Sequence, residues 1–320
     1  MRTVAIFLLI VGAVGIFTTA QADTFADTLN QTLDGWQFKG EFMMLQRNDP
    51  KKEPIAYNYD IGEIVLDNTD AALDWSSGAR FTALKNLNSS WDMEFSYMQM
   101  QEWTGRASIV NEDEDLDPAG RLAGFNSGGN FGDSAMYEIE SSSEIKQFEL
   151  NFINHADCIN SGLSILGGLR YVYIKEEFNI WSFDELPLDG YLGQYNAWTR
   201  NQLFGAQVGL IQDFNLNDKW QLSLIGKAGI YWNRMDYGIY NYNDNSDDFE
   251  DSDAQDGVSG VYELGVNTSY ALNSNVKFGA GYNMFWFTNV AVAAEQYNRN
   301  IDNNGDIFLH GPSAYVLFTW

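Results

Sequence analysis

The sequence predicts an all-β fold, a transmembrane antiparallel up-and-down β-barrel of about ten strands, from three observations. At the C-terminus Ala314, Val316, Phe318 and Trp320 recur at every second position. A strand places them on one face, with Tyr315, Leu317 and Thr319 on the other. At the N-terminus Arg2, the apolar run Val4 to Phe17 and the small-residue site Ala20-Gln21-Ala22 have the form of a secretory signal peptide cleaved after Ala22. Beyond residue 22 no stretch approaches the ~18 apolar residues of a spanning helix, yet aromatic residues make up 15% of the chain. An exported membrane protein without helical spans must close a barrel, because lipid offers no partner to an unpaired backbone group.

The single cysteine, Cys158, rules out an internal disulfide. No Pro- or Ser-rich linker divides the chain, so the expected organisation is a signal peptide over 1–22, a periplasmic segment over 23–34 and a barrel over 35–320.

Alternation predicts strands at 36–47, 78–85, 90–106, 136–153, 163–178, 202–214, 220–236, 259–271, 275–290 and 308–320. The connections fall into two classes. Short polar turns occur at 85–89, 155–158, 215–219 and 271–275, where Asn, Asp and Ser suit tight reversals. Long, acidic, Gly- and Asn-rich stretches lie near 48–76, 110–134, 180–199, 239–257 and 293–306. Short periplasmic turns alternating with long external loops are a barrel signature, and an even strand count puts both ends on the periplasmic side. A twelve-stranded barrel would result if 48–76, where Ile61, Ile64 and Val65 alternate weakly, or 180–199 supplied another hairpin.

Within 220–236, Trp220, Leu222, Leu224, Ala228, Ile230 and Trp232 share one face, with an aromatic residue at each end, as expected of a lipid face with interfacial girdles. Gln221, Ser223, Lys227, Gly229, Tyr231 and Asn233 take the other. A secreted soluble β-sandwich binding protein would alternate too, with its apolar face inward, and parity alone does not separate the two. Glycine favours the barrel: Gly205, Gly209, Gly229, Gly265, Gly279 and Gly281 all fall on the polar side, where a narrow lumen leaves little room.

Several stretches carry a family resemblance. Gly35-Trp36 through Leu45-Gln46-Arg47, the hairpin strand Leu203 to Leu210, Lys227-Ala228-Gly229-Ile230-Tyr231, and Leu309-His310-Gly311-Pro312 resemble the β-barrel porin-7 family of planctomycete bacteria. The resemblance spans nearly all of the mature chain and implies the barrel fold and an outer-membrane location in a Gram-negative-type bacterium, without implying a solute. The ending on Val316, Phe318 and Trp320 also resembles the C-terminal strand read by the barrel assembly machinery, which it implies as a partner beside outer-membrane lipid.

Inward parity collects charges of both signs: Lys39, Arg80, Arg170, Lys227 and Lys277 with Glu41, Asp92, Glu94, Glu149 and Glu263. Confined charges must be paired or hydrated. Barrels of about eight strands fill their interior and those of ~16 leave a channel. The same residues therefore predict either a network that plugs a monomeric barrel or the lining of a narrow pore for small solutes.

An outer-membrane barrel hydrolase is the rival from another class. Only His155, in a periplasmic turn, and His310, at the start of the last strand, offer a base. Ser313 lies three positions from His310, so the two point to opposite faces, leaving an acid such as Asp302 or Asp306 as a partner for His310. No nucleophile motif accompanies it, and the expectation is a non-enzyme without a cofactor. The formal net charge of −26 is concentrated in runs at 111–115 and 247–253, which disfavours nucleic acid. It suggests at most weakly held Ca2+ at external loops, through Asp251, Asp253 and Asp256 or through Asp302 and Asp306, both groups falling short of a complete calcium loop.

Overall fold

The computed structural model describes residues 35–111, 115–125, 131–155, 162–184, 192–243, 249–297 and 301–320. The expected signal peptide, the 23–34 segment, Cys158 and parts of both acidic runs lie outside them. Ten antiparallel strands close the wall: β1 (Trp36–Arg47), β4 (Trp75–Asn88), β5 (Trp91–Met100), β8 (Met136–His155), β9 (Leu163–Phe183), β10 (Gly193–Asn215), β11 (Trp220–Asn243), β12 (Phe249–Ala271), β13 (Val276–Val290) and β14 (Gly305–Thr319). Each pairs with its neighbours, β14 returns to β1, and β5 pairs with β8 to complete the circuit. The third wall strand is broken: β6 (Trp103–Val110) continues β5 along the same partner, β8. Phe38 lies opposite Phe318 where the wall closes, and the Trp320 N–H donates to the Trp36 carbonyl at 2.9 Å.

All ten expected strands are present, but two of the expected loops are wall. The stretches 180–199 and 239–257 are mostly the upper ends of β9 to β12, strands of 21 to 24 residues. They run on because their outer face is wetted. On β11 the outward side reads apolar from Trp220 to Trp232 and then turns to Arg234 and Asp236. Along the same strand the inward side changes from Gln221, Ser223 and Lys227 to buried Tyr231, Met235, Tyr237 and Ile239. The lower barrel is apolar outside and polar inside, and the upper barrel is the reverse. On β11 the apolar belt runs from Trp220 to Trp232, which at a barrel-strand tilt of about 40° is long enough to span the hydrocarbon core.

The weak alternation around Ile61 and Ile64 does form a hairpin, β2 (Pro54–Asn58) with β3 (Glu63–Asp67), but it joins β7 (Leu116–Pro118) in a separate three-stranded sheet. That sheet, the 3-10 turn Asn68–Ala71 and the segment 291–297 form a lid over the barrel mouth. Ile55, Leu66, Leu116 and Tyr297 are buried in one apolar cluster with the wall residues Tyr137, Phe178, Tyr195 and Tyr237. The Tyr195 and Tyr297 rings stack at 5.7 Å. Asn68 ties the pieces together, accepting from the Glu53 N–H at 2.8 Å and donating to the carbonyls of Lys51 at 2.9 Å and Ala294 at 3.0 Å.

Candidate functional site: a layered lumen

The ten sequence-predicted lumen residues all lie on inward positions, and eight of them meet through one network. Register explains its seeds. Glu41 is directly opposite Arg80, Glu149 opposite Arg170, and Lys227 opposite Glu263. Cross-strand pairs of this kind have Cβ atoms ~5 Å apart, close enough for ion pairing without distorting the wall.

The long side chains then reach across the lumen. The Arg80 guanidinium donates to Glu41 at 2.8 Å, to Glu263 on the far wall at 2.8 Å and to Asn283 at 3.0 Å. Arg170, almost wholly buried, bridges Glu149 at 2.9 Å and Glu263. Lys227 contacts Glu149 at 2.8 Å and Glu263 at 3.6 Å, and Lys39 contacts Glu41 at 3.0 Å. Glu94 joins through Asn151, whose amide donates to it at 2.9 Å.

Sequence reasoning missed the neutral connectors: Asn151, Gln207 and Asn283 donate to Glu149 or Glu41 at 2.8 to 3.2 Å. Their signal was inward parity, which they share with the charges. Glycine gives room here. A Cβ at Gly279 would lie 2.1 Å from the Tyr315 ring, which fills the lumen beneath the network.

Lys277 and Asp92 lie apart from this cluster. Lys277 reaches Gln221 at 3.4 Å, because β13 begins at Val276 and places it near the periplasmic rim. It lines a polar cavity of about 350 Å3 together with Asp92, His155, Ser164, Ser223 and Asn267. In its wall Asp92 Oδ2 lies 2.8 Å from His155 Nε2, and His155 Nδ1 lies 2.8 Å from Ser164 Oγ. The sequence reading passed over this chain of three, since residues 92, 155 and 164 become neighbours only through the pairing of β5, β8 and β9.

Above the network the lumen is dry. Met43, Leu45, Met98, Val172, Ile174, Leu203, Val261, Phe285, Phe287 and Leu309 are buried in a single cluster. Three polar groups pass through it to hold the lid. Asn201 exchanges hydrogen bonds with Ala291 at 2.8 and 2.9 Å, Glu176 accepts from the Ala293 N–H at 3.1 Å, and Arg47 pairs with Glu176.

The other expected residues fall outside the lumen. Val316, Phe318 and Trp320 face outward on the closing strand. His310 faces outward with Tyr282 at 2.6 Å rather than with an acid, while Ser313 is inside. Asp251 and Asp253 lie opposite Ile239 and Tyr237 on one face of β12 and Asp256 lies opposite Arg234 on the other, because the expected loop is a strand. Asp302 accepts from the Asn304 N–H at 3.3 Å, and Asp306 is in β14 opposite Thr288. Among the described residues, no three His, Cys, Asp or Glu side chains gather in a metal-binding group.

Comparison with known proteins agrees with this architecture. Among solved structures the chain is similar to the outer membrane protease OmpT from Escherichia coli, with a TM-score of 0.50 at 12% identity, over 89% of this chain and 97% of that one. It also matches the translocator domain of the autotransporter NalP from Neisseria meningitidis (TM-score 0.43, 8% identity, 94% and 96% covered). The P. putida toluene transporter TodX matches at TM-score 0.33 and 9% identity, with 91% of each chain covered. At these identities the OmpT likeness bears on the fold alone, and the other two add no argument. No curated protein matches the chain in sequence. The family model described as putative beta barrel porin-7 (BBP7) matches residues 61–313. With an apolar outer belt, a ten-stranded closed wall and a family match over most of its length, the chain belongs to the beta barrel porin-7 family and is an outer-membrane protein of a Gram-negative-type bacterium.

Proposed function

We propose that this barrel is a closed, monomeric structural component of the envelope that presents its lid outside and conducts no solute. One observation carries the reading: the charged network, the apolar cluster and the lid succeed one another along the axis, so a permeating ion meets first fixed ion pairs and then an apolar layer whose polar groups, Asn201, Glu176 and Arg47, are engaged with the lid and each other. Crossing the dry layer would cost an ion its hydration with little in return. The test is single-channel recording of the folded full-length protein in planar bilayers. Silence is expected, both for the natural chain and for Glu263→Gln. Stable, ion-selective current would support a narrow pore and overturn the closed reading.

One observation favours hydrolysis as a second reading. Asp92, His155 and Ser164 have the contacts of an acid, a base and a nucleophile beside a cavity. The same contacts serve as a clamp on the β8–β9 hairpin, where His155 and Ser164 are directly paired. A fluorophosphonate probe separates the roles: labelling abolished by Ser164→Ala would support hydrolysis, and absence of labelling leaves the clamp.

A further inference from the structure

Four cations stand on the outer wall immediately above the apolar belt, on four adjacent strands: Lys146 on β8, Lys175 on β9, Arg200 on β10 and Arg234 on β11. We infer that they form a binding site for the phosphorylated headgroup of an outer-leaflet lipid whose acyl chains lie along the belt below.

Register fixes the arrangement. Tyr173, next to Lys146 on the adjoining strand, is followed along the rung by Gln202 and Arg234, while Lys175 and Arg200 are direct partners one rung higher. The rung beneath runs through Phe148, Phe204 and Trp232, each more than 50% exposed on the lipid side. An acyl chain therefore has an aromatic surface to lie on directly under the cations.

Lys175 opposite Arg200 is unfavourable by itself, since like charges directly opposed across strands repel. The Nε of Arg200 is buried and has no hydrogen-bond partner, and its guanidinium sits 5.9 Å from the Trp198 ring. An anion between the two cations would relieve both conditions, and guanidinium and ammonium groups both suit phosphate oxygens.

Carboxylates flank the cations: Glu144 is directly opposite Lys175 and Asp236 directly opposite Arg200 on the same rung, with Glu177 one step further out. Glu144 contacts Lys146, Glu177 contacts Lys175, and Asp236 contacts Arg234.

The rest of the circumference lacks the feature. The outward residues that follow the belt on β12, β13, β14, β1 and β5 are Asp256, Thr288, Asp306, Gln46 and Gln99. In a chain with only 18 Lys and Arg against 44 Asp and Glu, four cations with three contacting carboxylates make this side of the wall locally cationic, complementary to a lipid phosphate.

The experiment is native mass spectrometry of the folded full-length protein in detergent. The probe is an acylated glucosamine disaccharide carrying two phosphate monoesters, compared with the same lipid after dephosphorylation and with inorganic phosphate. A retained one-to-one adduct with the phosphorylated lipid is expected. At least a tenfold loss is expected for the dephosphorylated lipid and for Lys175→Gln combined with Arg200→Gln, with no loss for Lys85→Gln at the periplasmic rim. If the double variant fails to fold, as judged by heat-modifiable gel mobility, Lys146→Gln and Arg234→Gln singly must each reduce the adduct several-fold. Equal retention of the dephosphorylated lipid, undiminished binding by the folded variants, or equal binding of inorganic phosphate alone would overturn the lipid site.

Discussion

The lower and upper halves of this barrel use the same geometry for opposite chemistries. In the lower half Arg80, Arg170 and Lys227 share Glu149 and Glu263 inside a wall whose outer face is Phe204, Val208 and Ile230. In the upper half Ile139, Phe178 and Tyr237 fill the lumen, and the outer face carries Lys175, Arg200 and Asp236. The wall's surroundings account for the change. Where lipid surrounds the strands, burying apolar groups inside gains nothing over leaving them in lipid, so uniqueness must come from directional polar contacts. Where water surrounds them, the hydrophobic effect again favours an apolar interior. Glu263 and Phe285 are direct cross-strand partners, so the boundary passes through a single rung of the wall.

Breaking the lower half should have the largest effect. Glu263 accepts from Arg80 and Arg170 and lies 3.6 Å from Lys227. Glu263→Gln leaves three cations with one carboxylate fewer in a closed interior, an expected loss of about 3–5 kcal/mol. The measurement is the temperature at which the folded, fast-migrating gel form is lost. A shift no larger than that of an exposed substitution would mean the network is hydrated and contributes little.

The upper half should respond through volume rather than charge. Phe285→Ala removes a wholly buried ring from the apolar cluster and should cost about 3–4 kcal/mol. Its distinguishing sign is the lid, since lid segment 291–297 is anchored just above. Hydrogen exchange at Ala291 and Ala293 should rise in Phe285→Ala and remain low in Glu263→Gln. Equal responses would erase the distinction between the halves.

The wall itself tests which medium surrounds the lower half. Leu224 faces outward and Ser223 inward, where Ser223 donates to Asp213. Leu224→Arg should cost about 2–4 kcal/mol in lipid, while Ser223→Arg enters a wet cavity at a fraction of that. Membrane-assembly yield and thermal stability of the two variants, compared side by side, check the direction. The same pair made at the protruding level, Asp236→Arg against Met235→Arg, should reverse in order, because there the interior is the dry side.

That reversal also marks how far the sequence was legible. Alternation, the two classes of connection and the aromatic ends of 220–236 located all ten wall strands and the inward set of charges. The upper ends of β9 to β12 resemble loops in sequence because polar residues such as Glu177, Asn179, Asn196, Asp236 and Glu250 stand on their outer face, and the apolar residues between them, such as Tyr237 and Ile239, lie on the face opposite to the apolar face below. A phase inversion of the apolar set partway along a strand was the available signal. Which charges meet depends on register across the closed wall. Lys227 meets Glu263 while Lys277, of the same inward parity, does not, and Asp92 meets His155, which sequence spacing gives no reason to pair.

The smallest expected effect concerns the lid, where acid should loosen what neutral pH holds. Asp67 caps the turn Asn68–Ala71, accepting from the Thr69 N–H at 2.9 Å, and its other oxygen lies 2.6 Å from Lys52. Partial burial pushes its carboxyl up, but hydrogen bonds from Lys52 and Thr69 outweigh that and hold it below its ordinary value. A carboxyl lowered by folding contributes stability that is present above its unfolded pKa of about 4 and is lost as pH falls through the folded value. Protection of the 53–70 amides should therefore stay level from about pH 8 to 5 and decline below about 4. Asp67→Asn keeps the cap but abolishes the titration, so its protection should be slightly lower at neutral pH and flat into acid. The ion pair with exposed Lys52 is screened and adds little. The expected difference is thus modest, and Asp67→Ala, which removes the cap as well, should exceed it by about 1 kcal/mol. A lid whose protection ignores pH in the natural chain would place its stability wholly in the apolar contacts of Ile55, Leu66 and Tyr297, making it an extension of the dry upper half with no electrostatic share.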